Sequence, residues 1–317
     1  MKPIARRAFV KKTALAAGCL PWIPAAVPDF WQHGTDSPGL EMHLFSKHLQ
    51  FLSCTEAAEV AAQLGFSGLD LTVRPGGHVE PENVKVALPK ALEVIGRGGS
   101  RCQLMTTAVG SADNPIDRDV LETSAANGVT MYRSDWFRYD RTLGMKASLA
   151  HFRGQVARLS QLNKQLGLVG CYQNHAGSLI GASAWEVDEL LEDADRQSFG
   201  VQYDIRHATL EGGLSWENGL HLLRSHIKRV VLKDFKWEQV NGSYQVVNTP
   251  IGEGMVDFAR FFKLLKAYRI RVPVILHLEY PLGGAEHGAR KLEIDKGLVF
   301  DAMKNDLKTI KDLWANT

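Results

Sequence analysis

The chain has 317 residues, 45% hydrophobic and 23% charged. That is enough apolar material for a large core and excludes a disordered chain. Its 37 basic and 35 acidic residues leave a formal charge of +2, so no global field favours nucleic acid or an anionic membrane.

Residues 1–27 read as an export signal. Arg6-Arg7-Ala8-Phe9-Val10-Lys11 resembles the twin-arginine type, and the weakly apolar stretch that follows is broken by Pro21 and Pro24. It is too short to span a bilayer, which favours a removable signal and a periplasmic location over an anchor. The alternative is a basic disordered tail. Cys19, after Ala16-Ala17-Gly18, is a candidate lipid-anchor site. Residues 28–40, rich in Gly, Pro, Ser and Asp, read as a linker to one domain over 41–317. Cys54, Cys102 and Cys171 include no CxxC pair and read as small core residues.

Within that domain, short apolar runs predict strands at Met42–Phe45, Gly68–Leu71, Gln103–Thr106, Val129–Tyr132, Leu168–Tyr172, Val201–Tyr203, Arg229–Leu232 and Val274–Leu278. Segments with apolar residues every three or four positions separate them: Thr55–Leu64, Ala147–Leu166, Trp185–Glu192, Ser215–Ser225 and Phe258–Tyr268. Each such period marks an amphipathic helix. Eight strands alternating with helices, without a composition break, predict a single (β/α)8 TIM barrel. A doubly wound sheet is the competing fold, but no GxGxxG follows the first strand. Phe235–Pro250, with Asn241-Gly242 at its centre, predicts a β-hairpin inserted after strand seven, on the face that carries chemistry in such barrels.

Chemistry in these barrels sits at the C-terminal strand ends, and here those ends are polar. They supply Lys47 and His48 (strand one), Asp70, Arg74 and His78 (two), Arg133 and Asp135 (four), and Gln173, Asn174 and His175 (five). Asp204 and His207 follow strand six, Lys233 and Asp234 strand seven, and His277 and Glu279 strand eight. "YDIRHATLEGG", Tyr203–Gly213, reads as a strand entering a glycine-containing loop. A lone Asp or His there anchors a loop more often than it binds a ligand. Convergence of many on one barrel mouth favours a site, because so much buried polarity without partners is costly.

The segments "GCYQNHAG", "YDIRH", "LKDF", "PIGEGMVDF" and "LHLEY", in this order, resemble the motifs of the xylose-isomerase-like TIM-barrel superfamily of sugar isomerases and epimerases. The resemblance implies a divalent metal (Mn, Zn, Mg or Co) held by an acid of strand five, the Asp of strand six, a His of strand seven and the Glu of strand eight. Carried over, Asp204 and Glu279 match as ligands, Gln173 stands for the strand-five acid, and His175 is a further candidate. The strand-seven His is replaced by Val231, which cannot coordinate.

The reading that follows is abstraction of a proton alpha to a sugar carbonyl by Glu279 or His207, with the ion and Lys233 stabilising the enediolate. Reprotonation gives epimerisation or isomerisation; loss of a β-oxygen makes the chain a lyase or dehydratase on a keto-sugar or keto-glycoside. Without a metal, Lys233 becomes base or electrostatic clamp. Lys47, His48, Arg74, His78, Asp234 and Trp237 are the expected substrate contacts, with Trp136, Tyr280 and Phe235 as apolar faces. A non-phosphorylated sugar is the expected partner, with no nucleic acid. A degenerate, non-catalytic sugar-binding barrel is the second class.

Overall fold

In the computed structural model, residues 39–317 are described; the expected export signal, Cys19 and all but the last two residues of the linker lie outside them. The eight strands that carry the fold are β1 (Met42–Phe45), β2 (Gly68–Val73), β3 (Leu104–Thr107), β4 (Met131–Arg133), β5 (Val169–Gln173), β6 (Phe199–Asp204), β7 (Ile227–Leu232) and β10 (Val274–Leu276). They form a closed barrel in the order β1-β10-β7-β6-β5-β4-β3-β2, every pairing parallel. One strand face points into the barrel and the other against helices, so the strands are buried on both sides and read as continuous apolar runs rather than alternating ones. That is why all eight were visible in the sequence, to within a few residues at their ends.

The helices follow from local chemistry. Helix α1 (Cys54–Leu64) starts on a capping box between Ser53 and Glu56 and ends at Gly65 in the left-handed conformation, which glycine adopts without a Cβ clash. Helix α2 spans Val84–Arg97, α3 Pro115–Ala126, α4 Met145–Leu166, α5 Ala184–Leu190, α6 Ile205–Gly212, α7 Trp216–Leu223, α8 Phe258–Ala267 and α9 Lys296–Ala315. On α4, Leu149, Val156, Leu159 and Leu162 are buried, with Phe152 packed at their edge. Among the described residues no helix is long and apolar enough to cross a membrane. The segment expected to be a loop after Tyr203 is instead α6, whose N-cap is Asp204: its Oδ1 accepts from the His207 backbone N–H at 3.0 Å.

The expected hairpin is present as β8 (Asp234–Val240) and β9 (Ser243–Thr249), antiparallel, with Asn241 (φ 52°) and Gly242 (φ 82°) at the turn. Positive φ at both central residues is what the favoured two-residue turns need, and Asn-Gly supplies it. Its base is fixed by Asp234, whose carboxylate accepts from the backbone N–H groups of Phe235, Gly252, Gly254 and Val256 at 2.8–3.1 Å. The glycine of "GEG" is required by this cradle: a Cβ on Gly254 would lie 2.2 Å from Asp234 Oδ1 and 2.4 Å from the Phe235 carbonyl oxygen. Gly254→Ala should therefore lower stability by about 1–3 kcal/mol, the usual range for overpacking, measured as a shift of the urea midpoint at constant slope.

Candidate active site

Parity along the strands selects the residues that enter the barrel, because side chains alternate faces. On β7, Arg229 reaches inward to Asp70 (2.7 Å, both fully buried). Two residues on, Val231 packs with Phe45, Leu104, Met131 and Ile275 in an apolar plug. After two more, Lys233 emerges into the mouth. Strand β10 continues the same rule through Ile275, His277 and Glu279. The cavity above the plug is small, about 50 Å³, and opens to solvent. Lys47, Arg74, Arg133, Trp136, Gln173, His175, Lys233, His277 and Glu279 line it, with Phe45 and Thr106 beneath.

Lys233 is the hub. Its Nζ lies 3.2 Å from Asp204 Oδ2, 3.2 Å from Glu279 Oε2 and 2.8 Å from His207 Nε2, so each of the three N–H donors of an ammonium has an acceptor. Gln173 Nε2 donates to the same Asp204 oxygen at 2.8 Å. Asn174 locks the Asp204 backbone, accepting from its N–H at 2.8 Å and donating to its carbonyl at 2.9 Å. Burial pushes the Asp204 carboxyl up, but His207, Lys233 and the His207 backbone N–H outweigh it and hold it at about 2.

Glu279 faces the cavity, 26% exposed, with Oε1 3.5 Å from Lys47 and 3.7 Å from His277 Nδ1. Against the upward push of burial, Lys233, His277 and Lys47 hold its carboxyl well below the usual range, so it is ionised. Burial, aided by Lys233 and Arg74, lowers Lys47. Burial lowers His277 to about 4, and among the described residues neither of its ring nitrogens has a partner within hydrogen-bond distance. The His207 ring is 3% exposed, with Arg206 Nη1 3.1 Å from Nδ1. Burial, then the Lys233 charge with those of His175 and Arg206, keeps it neutral despite Asp204.

Of the residues expected from sequence, Lys47, Arg74, Gln173, His175, Lys233 and Glu279 meet in one cavity, while Asp204 and His207 stand directly behind Lys233. Four expected substrate contacts are placed elsewhere. His48 is fully buried, its Nδ1 3.1 Å from the Ala285 carbonyl and its Nε2 accepting from the Leu278 N–H, which ties the ends of β1 and β10 together. His78 sits on Thr72 (3.1 Å), Asp234 serves the hairpin cradle, and Trp237 is half exposed on β8. Tyr280 and Phe235 are buried packing groups, and of the four expected aromatic faces, Trp237 included, Trp136 alone lines the cavity. Arg133 and His277 carry more of the wall than their sequence context suggested; their parity with Met131 and Ile275 on the inward face is the signal that finds them.

The expected ligand set does not fit a divalent ion. The oxygens of Asp204 and Glu279 converge on the Lys233 ammonium and Gln173 turns its N–H₂ toward Asp204, so the expected oxygen donors are engaged; His175, with Nδ1 on the Ala176 carbonyl at 2.9 Å, keeps only Nε2 to offer. Among the described residues no three His, Cys, Asp or Glu groups are disposed to hold a metal. A +2 ion would have to displace a +1 charge already paired to both carboxylates.

The model of the xylose isomerase-like TIM barrel matches residues 118–295, more than half of the chain. No curated protein matches. Among solved structures, the chain is similar to D-allulose 3-epimerase from Methylomonas sp. in complex with D-allulose (16% identity, 86% of this chain and 97% of that one, TM-score 0.63). It is similar to 3-keto-D-glucoside 4-epimerase from E. coli (12%, 85% and 99%, 0.61) and to the probable 3-DHS dehydratase from Bacillus anthracis (14%, 86% and 98%, 0.61). At these identities the likeness is one of fold.

The Asp204 environment gives a stability test. Its carboxyl falls from 3.8 to about 2 on folding, so its ionised form contributes stability above about pH 4 that is lost as pH falls toward 2. Urea unfolding of wild type and Asp204→Asn between pH 6 and 2 should show a gap that is widest near neutrality and narrows across that window. Parallel curves would contradict the assignment.

Proposed function

The chain belongs to the xylose isomerase-like TIM-barrel family, and on that premise we propose that it is a sugar isomerase/epimerase-like enzyme acting by proton transfer alpha to a carbonyl. The observation that carries the reading is an ionised carboxylate, Glu279, exposed to a small cavity between two lysines. The likeness in fold to sugar epimerases and a dehydratase supports it.

In this reading a substrate carbonyl or its neighbouring hydroxyl takes an N–H of Lys233. Glu279 thereby loses part of its pairing, becomes more basic, and removes the α-proton. The negative charge that develops on oxygen meets the Lys233 ammonium, which Asp204 and His207 hold in place without reorganisation, the condition for strong electrostatic stabilisation. His277, whose Nδ1 faces Glu279 at 3.7 Å, offers Nε2 to a sugar hydroxyl. Lys47, a lysine that releases its proton more readily than usual, delivers a proton from its side of the cavity, and the proton held by Glu279, 3.5 Å away, then passes to Lys47 to restore both groups. Delivery to the opposite face of the same carbon gives epimerisation and to its neighbour isomerisation, while loss of a β-oxygen from the same enediolate gives elimination. The positive charge of the site is Lys233 itself, in place of the divalent ion expected from sequence.

Two measurements test this. In D₂O the wild-type protein should exchange the α-hydrogen of a cognate keto-sugar, followed by proton NMR, and Glu279→Gln should slow exchange by at least about 10²-fold, the low end for a positioned base, with its melting temperature retained. A purely sugar-binding barrel would show no wild-type exchange. Extended chelation should leave the rate within about twofold, whereas Lys233→Met should reduce it by about 10²–10³, as for loss of a preorganised donor to an oxyanion; loss on chelation that added Mn or Zn restores would overturn the lysine assignment.

A further inference from the structure

The cavity is electrically lopsided. Four cations line it, Lys47, Arg74, Arg133 and Lys233, against the single carboxylate of Glu279. Glu279 is shared by the two lysines and Asp204 is paired to Lys233. Nothing comparable answers the two arginines. Arg133, the last residue of β4, is 2% exposed. It donates to the carbonyls of Ser134 (2.7 Å) and Thr107 (3.3 Å) and lies 4.0 Å over the Trp136 ring. The guanidinium of Arg74, just beyond β2, makes no hydrogen bond or ion pair among the described residues; its carbon lies 5.6 Å from the centre of the Phe45 ring.

The carboxylates that could neutralise them are otherwise engaged or too far for pairing. Asp70 is bound to Arg229 at 2.7 Å and accepts from Thr106 at 2.8 Å. Asp135 acts on both arginines through its field but forms an ion pair with neither. Burial, together with repulsion from Arg74, lowers Arg133 to about 10. A buried cation without an ion-pair partner, as Arg133 is, is among the more expensive features a fold can carry, and the half-buried Arg74 facing the same cavity adds repulsion. An arrangement of this kind becomes favourable when an anion enters between them, and a planar carboxylate matches the guanidinium fork.

We propose that Arg74 and Arg133 form an anion subsite for a carboxylate of the substrate, so that the enzyme acts on a sugar acid, a keto-uronate or keto-aldonate, rather than on a neutral sugar. This rests on the proton-transfer reading for the reaction itself but not for the binding. The acid group held on the β2–β4 side would lay the sugar chain across the cavity, with its carbonyl toward Lys233 and Glu279.

Calorimetry with wild-type protein and matched probes separates the two claims: a panel of ketohexoses, the ketohexuronates in which the terminal CH₂OH is a carboxylate, and ketohexose phosphates. The expected result is a preference of at least tenfold for a ketohexuronate over its neutral counterpart. Arg74→Gln should cut that ratio by about 10–100-fold, the range for losing a hydrogen bond to a charged group. Arg133→Lys, with its fold checked by melting temperature, should cut it less than Arg74→Gln does, since charge remains without the fork. Deuterium exchange run on the same panel should select the same acid. Equal affinity for acid and neutral sugars, preference for the phosphates, or a ratio unmoved by Arg74→Gln would each overturn the subsite. Acid-selective binding without exchange would leave the subsite standing and sink the proton-transfer reading; exchange confined to neutral ketoses would do the reverse.

Discussion

Lys233 places one positive charge among Asp204, Glu279 and His207 at 2.8–3.2 Å, and the rest of the site is organised around that contact. Buried ion pairs seldom add net stability, because desolvation consumes most of the Coulomb gain. A triad of this kind is therefore poorly explained as a way of holding the barrel together, which the apolar plug of Phe45, Leu104, Met131, Val231 and Ile275 does at lower cost. Its effect is to fix an ammonium in a chosen place. Asp204 is fixed in turn by Asn174 at both backbone polar groups and by Gln173 at its side chain. The position of the charge is thus inherited from the register of three neighbouring strands.

That inheritance explains how Val231 and Lys233 belong together. They occupy consecutive inward positions on one strand. Val231 extends the plug and offers no donor where the family resemblance implies a ligand. The ammonium two residues later supplies positive charge there from inside the chain. An ammonium differs from a divalent ion in carrying half the charge and offering directed N–H donors rather than open coordination positions. It also needs no loading, so its geometry is set by folding alone.

The barrel was legible because strands buried on both faces announce themselves as short apolar runs, and the hairpin because Asn-Gly between alternating residues specifies a tight turn. The convergence of Lys47, Arg74, Gln173, His175, Lys233 and Glu279 was legible for a topological reason: parallel strands all end on one face. Assignment within each strand end was harder. Lys233 and Asp234 are adjacent, and a pleated strand sends neighbours to opposite sides, so an inward lysine goes with an Asp234 turned away, onto the segment Gly252–Val256 at the base of the hairpin. The same parity argument brings Arg133 in with Met131. His48 and His78 lie in loops and turns where strand parity no longer applies, and their partners, the Ala285 carbonyl and Thr72, are set by contacts distant in sequence or by loop path. The two glycines after Glu211 suggested a loop, but Asp204 caps a helix there, and Ile205 packs into the core at its first turn. Whether a lysine or an ion sits between two carboxylates is a matter of side-chain reach, to which neither periodicity nor motif order is sensitive.

Charge counting then divides the cavity into two halves with different tasks. On the β7–β10 side, two lysines face two carboxylates and the local sum is close to zero, so charge created there during a reaction is met by groups that separate slightly rather than by groups newly brought in. On the β2–β4 side two guanidinium groups face neutral carbonyls and aromatic rings, and the sum is positive before anything binds. A neutral half can host a charge that appears and disappears, because each state is tolerated at similar cost. A positive half is suited to a charge that is permanent. The contrast follows from which carboxylates the barrel interior has already consumed: Asp70 by Arg229, Asp204 and Glu279 by Lys233, leaving the arginines to whatever enters from solvent.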